Sequence, residues 1–168
     1  MTIIRYSAIR SELTCRKRVV SDTGWKMDAL PPRFSPFEHT RPALARWEWR
    51  SFNLMAEDGT GYRMLVEVAP ALDKWKAMLI RIADGMPPVV IMRFEDQPGK
   101  TGGGVHIHAH CGERPDLAGA ASIEMPYTLP DHGRLRRRRV AWTKALFCRA
   151  AGDLFRTDPI SGQEEMPL

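Results

Sequence analysis

The chain has 168 residues and is 43% hydrophobic, enough for one domain with a packed core. No apolar run approaches the roughly 18 residues of a membrane span, and three cysteines (Cys15, Cys111, Cys148) without a CxxC pair argue against a disulfide scaffold or a cysteine-rich zinc site. A net charge of +5 favours polyanionic partners, and the excess is local, because Arg134, Arg136, Arg137, Arg138 and Arg139 account for it. With no secretory apolar segment after Met1, the expectation is a soluble, cytoplasmic protein without membrane contact.

Residues 1 to 30 carry no sustained hydrophobic period and are rich in Arg and Lys, which suggests that residues 1 to 26, ahead of Met27, are a loosely ordered extension or a misassigned start. PPRFSPFEHTRP, residues 31 to 42, holds four prolines and reads as a linker or a strap over the domain. The expected organisation is an extension over 1–45, a single domain over 46–158 and a tail over 159–168.

From Trp47 the pattern becomes short strands between turn signals. Trp47 to Ala56 is the first, ended by Asp58-Gly59, where glycine accepts positive φ cheaply. In Tyr62 to Val68 the residues Tyr62, Met64, Val66 and Val68 face one way, Arg63 and Glu67 the other, and Pro70 closes the strand. Trp75 to Ile82 follows, with Lys74 and Lys76 at its outer end, then a turn at Asp84-Gly85 and Pro87-Pro88. Val89 to Phe94 is nearly continuous apolar and reads as a central strand. A polar loop, EDQPGKTGGG, leads to the last strand, which carries His106, His108 and His110. Further on, Asp131 is a candidate N-cap, and Leu135, Trp142, Leu146, Ala150 and Leu154 recur at helical spacing, widened by Phe147, Ala151 and Phe155. The fold expected is α+β: an antiparallel meander of about five strands packed by one long C-terminal helix, from His132 to about Arg156.

Chemistry concentrates on the histidine strand. Side chains alternate along a strand, so His106, His108 and His110 share one face, and Val105, Ile107, Ala109 and Cys111 share the other, toward the helix. Alternate imidazoles can bind a metal, but His106 and His108 with Glu113 match a cupin motif imperfectly, since Gly99 lies one place too far upstream. HIHAHCG, residues 106 to 112, resembles the signature of the histidine triad nucleotide hydrolases, which implies His108 as the nucleophile on a phosphate. The remaining readings are acid/base chemistry and a merely polar face.

A longer stretch carries another resemblance. Arg93-Phe94-Glu95-Asp96, then Pro98-Gly99-Lys100, then His106 and His108, then Pro126-Tyr127 and a final helix follow in that order. This run resembles the TumE-like toxins of bacterial toxin–antitoxin pairs. The resemblance implies an RNA-directed toxin neutralised by a cognate antitoxin protein. Histidine suits metal-free RNA cleavage, because a pKa near ~6.5 lets it take or give a proton. On this reading His106 and His108 are the acid/base pair, His110 assists, Lys100 and Arg93 hold phosphate, and Glu95 or Asp96 orients a histidine; no cofactor or metal is required. RLRRRR, residues 134 to 139, falls in the first turns of the expected helix, where positive charge opposes the helix dipole, and RNA phosphate or an acidic antitoxin segment would explain it. The alternatives are a non-catalytic module binding nucleic acid or protein, and a nucleotide hydrolase; the pattern leaves room for a homodimer.

Overall fold

The computed structural model describes residues 3–4, 10–36, 47–96, 105–109, 121–123 and 141–158. They form β1 (Ile3–Ile4), α1 (Arg10–Thr14), β2 (Lys17–Asp22), β3 (Glu48–Ala56), β4 (Gly61–Ala69), β5 (Lys74–Ile82), β6 (Val89–Asp96), β7 (Val105–Ala109), β8 (Ala121–Ile123) and α2 (Lys144–Phe155). The strands make one sheet in the order β1-β8-β7-β6-β5-β4-β3-β2. Every neighbouring pair from β2 to β8 is antiparallel, while β1 pairs with β8 in parallel. The fold is α+β.

β3 to β7 are the five strands the alternation predicts, with ends displaced by a few residues at most. Their turns form as their residues dictate: Gly59 sits at φ 85° in the β3–β4 hairpin and Gly85 at φ 72° between β5 and β6. Pro70, which cannot donate a ladder hydrogen bond, ends β4 and starts a 3-10 turn over Pro70–Leu72.

The even positions of β4 (Tyr62, Met64, Val66, Val68) point into one core with Phe52 and Leu54 of β3 and Trp75, Ala77 and Leu79 of β5. α2 fills this core with Phe147, Cys148, Ala150, Ala151, Leu154 and Phe155. Phe94 stacks on Phe147 at 5.2 Å between ring centroids, and Trp142 meets Phe147 edge-on at 5.3 Å. The opposite face carries a smaller apolar cluster of Trp49, Leu65, Met78, Ile80 and Val90, with Leu30, Phe34 and Ile82 against it. Phe34, from the proline-rich stretch, lies 5.2 Å from Trp49, so residues 30 to 34 strap this second face. A bulge between Leu79 and Ile80 shifts the register against β6, so Val90 faces the second cluster while Ile91 and Met92 both join the first.

Three expectations need correction. The C-terminal helix is shorter than expected: residues 141–143 are not helical, and Thr143 is the N-cap, its Oγ1 accepting from the Leu146 N–H. Trp142 therefore reaches the core from ahead of the helix rather than from its stripe, and the arginines at 134 and 136 to 139 lie outside the described residues. Asp131 and Leu135 lie outside the described residues. Second, residues 10 to 22 are not an extension: Leu13 is in the core and β2 pairs with β3 along its length. The reason is Lys17, wholly buried, whose Nζ donates to the backbone oxygens of Glu12, Cys15 and Phe155 at 2.5, 2.9 and 2.9 Å. The ammonium thus caps the last carbonyls of both α1 and α2. Third, the meander of about five strands is flanked by β2 on one side and by β8 and β1 on the other.

Candidate functional site

The second face of the sheet holds the candidate site. Its residues are the odd positions of β4, the even positions of the first part of β5, and Arg93 and Glu95 of β6. In register, Trp49 of β3 lies opposite Glu67, Glu67 opposite Lys76, Lys76 opposite Glu95, and Glu95 opposite His106. The next row runs Ser51, Leu65, Met78, Arg93, His108, and Ser122 of β8 continues it. Directly opposed residues share a face of a sheet. The register therefore sets positions 106 and 108 beside a run of charge.

That charge is buried. Glu67, Lys76 and Glu95 are 8%, 3% and 5% exposed. Lys76 Nζ lies 2.6 Å from Glu67 Oε2, and Arg93 Nε lies 2.8 Å from Glu95 Oε1. Two cations and two carboxylates thus balance on a face that also carries the apolar Trp49, Leu65, Met78, Ile80 and Val90. Such pairs contribute little to stability, because the cost of taking both charges out of water offsets most of their attraction. Compact buried charge in a place where apolar side chains would serve the fold is a mark of functional sites.

The sequence-predicted residues distribute as follows. His106 and His108 lie on β7 at the register positions given above. Arg93 is on β6, in its ion pair with Glu95, with its side chain 20% exposed. Lys100, His110, Arg134, Arg136, Arg137, Arg138 and Arg139 lie outside the described residues. Glu95 is on the side expected for a carboxylate that orients a histidine. Asp96 is not: the alternation turns it to the helix side, where its Oδ2 accepts from Trp142 Nε1 at 2.7 Å. Positions 105, 107 and 109 pair with Asp96, Phe94 and Met92. Phe94 and Met92 belong to the helix-side core, as the alternation of the histidine strand requires.

Glu67 and Lys76 escaped the sequence reading as site residues. Each looks like a solvated strand residue in its own segment, and only the pairing brings them into one row. The available signal was a charge on a strand whose flanking same-face positions, Leu65 and Met78, are apolar. Among the described residues, no group of three or more His, Cys, Asp or Glu side chains converges as a metal site would require.

Comparison of the chain with protein-family models, with curated proteins and with solved structures found no match. No described helix is long and apolar enough to cross a membrane.

Proposed function

We propose that this protein is a metal-independent endoribonuclease of the toxin class, with RNA as substrate and a cognate antitoxin protein as its regulatory partner. The observation that supports the reading is the register of β6 and β7, with His106 opposite Glu95 and His108 opposite Arg93. An imidazole beside a carboxylate is held in one orientation and stabilised when it takes up a proton. An imidazole beside a guanidinium stands where phosphate charge is neutralised. The pair His106 and His108 then divides the work of RNA cleavage. One takes the proton of the ribose 2′-hydroxyl as its oxygen attacks phosphorus. The other gives a proton to the departing 5′-oxygen, leaving a 2′,3′-cyclic phosphate. Arg93 and Lys100 bind the phosphate, His110 assists, and the arginines at 134 and 136 to 139 hold the strand through its backbone.

The test is cleavage of RNA by the purified chain, with and without EDTA, beside the double variant His106→Ala/His108→Ala. Cleavage that survives EDTA and disappears in the variant is the expected result. An inert wild type, or a variant as active as the wild type, would sink the reading.

A further inference from the structure

The row that ends at position 106 begins two strands further into the sheet, and its inner members have no role in the scheme above. Lys76 stands between Glu67 and Glu95 in register, is almost fully buried, and touches Glu67 at 2.6 Å. We propose that Lys76 and Glu67 are positioning residues of this site, a charge row that acts through Glu95 to set the protonation of His106. This rests on the reading of His106 as an acid/base group, but it concerns different residues and is read by a different observable.

The argument is electrostatic. Glu95 has a cation on each side: Arg93 along its own strand and Lys76 across β5. Adjacent cations favour the charged form of a carboxyl, and an anionic neighbour favours a protonated imidazole. Lys76 in turn is ion-paired to Glu67 on its other side, at 2.6 Å. With Arg93 the four buried charges sum to zero; remove the lysine and the set becomes net negative, remove Glu67 and it becomes net positive. Among the described residues, the charged groups nearest position 106 in the register are Glu95 and Arg93 of β6, Lys76 and Lys74 of β5 and Glu67 of β4. Neighbouring strands lie about 4.8 Å apart, so Lys76 is about 10 Å and Glu67 about 14 Å from position 106. At an effective dielectric constant of about 20, one charge at these distances moves an imidazole by about one pH unit and somewhat less, respectively.

The experiment follows the ring proton signals of His106 by NMR titration of the full chain, assigned with His106→Ala, and measures the pH–rate profile of RNA cleavage on the same samples. In Lys76→Met the His106 titration should move up by about one unit, with the limb of the rate profile that His106 sets following. In Glu67→Gln it should move down by about half a unit or more, and Lys76→Arg, which keeps the charge, should hold the wild-type value. A role confined to stability would lower the folded fraction and leave the titration of the folded signals in place, and that result overturns the inference. If Lys76→Met does not fold, Glu67→Gln decides by the sign of its shift, and no downward shift overturns the inference. If the titrations move as expected while the wild type cleaves no RNA, the charge row stands and the ribonuclease falls. Cleavage with an unmoved titration has the opposite meaning.

Discussion

Lys17 offers the sharpest test of how this domain is held together. Its Nζ serves three carbonyls at the ends of α1 and α2, and it lies 5.1 Å from the centre of the Tyr62 ring. Lys17→Met keeps the length and apolar stem but removes every donor. The carbonyls of Glu12, Cys15 and Phe155 then lose this partner. Leaving a buried acceptor bare costs about 1–3 kcal/mol. The variant also escapes the cost of burying an ammonium, which offsets part of the loss. We expect a net loss of about 3 kcal/mol, which for a chain of this size lowers Tm by about 6–12 °C. Thermal unfolding followed by circular dichroism at pH 7 measures it. The pH dependence is a second readout. Burial pulls the Lys17 pKa below its ordinary 10.5. Between the folded value and 10.5 the unfolded chain holds a proton that the folded chain does not, so wild-type stability rises with pH in that window. Below the folded value both states are charged and the extra stability is gone. The rise should be missing in Lys17→Met. A variant that melts within about 2 °C of the wild type at pH 7 would refute the capping role.

Three further outcomes follow from single side chains. Cys148 is buried on α2 and its thiol is pushed up to about 12 by that burial, so a thiol reagent at pH 8 should leave the Cys148 peptide unlabelled in the native protein and label it in urea, as mass spectrometry would show. Trp142→Phe keeps the ring packing on Phe94 and Phe147 but removes the donor to buried Asp96; urea unfolding should show a loss of about 1–3 kcal/mol at unchanged m-value, and an unchanged midpoint would mean that this bond does not matter. For Asp22, burial raises the carboxyl pKa, but hydrogen bonds from Arg50 and the Gly24 N–H outweigh it, so the folded value lies below the usual 3.8. A depressed carboxyl stabilises the fold above 3.8 and loses that contribution as pH falls through the folded value; Asp22→Asn should therefore unfold with a shallower acid dependence below pH 4 than the wild type.

Much of this fold was legible along the chain because the signals concerned are local. Two-residue alternation in Tyr62 to Val68 separates the core side chains from Arg63 and Glu67 without any knowledge of a partner strand. Asp58-Gly59 and Gly85 mark turns through their own backbone freedom, and Pro70 ends a strand through its missing donor. The histidine strand and its two faces follow from the same alternation, and the antiparallel α+β arrangement follows from short strands, tight turns and one helical stripe.

What the chain alone left open depends on contacts between distant residues. β2 carries Lys17 and Arg18 and looks solvated until the Phe155 carbonyl, 138 residues away, takes up the ammonium. The start of α2 depends on Thr143 capping Leu146, while Trp142, at helical spacing in sequence, is turned instead toward Asp96 of β6. The candidate site is the clearest case. Which residue stands opposite which is a matter of strand register, and a slip of one residue would move Glu95 to the helix side. Turn geometry and the bulge at Leu79/Ile80 set that register, and it alone brings Glu67, Lys76, Glu95 and position 106 into one row across four strands.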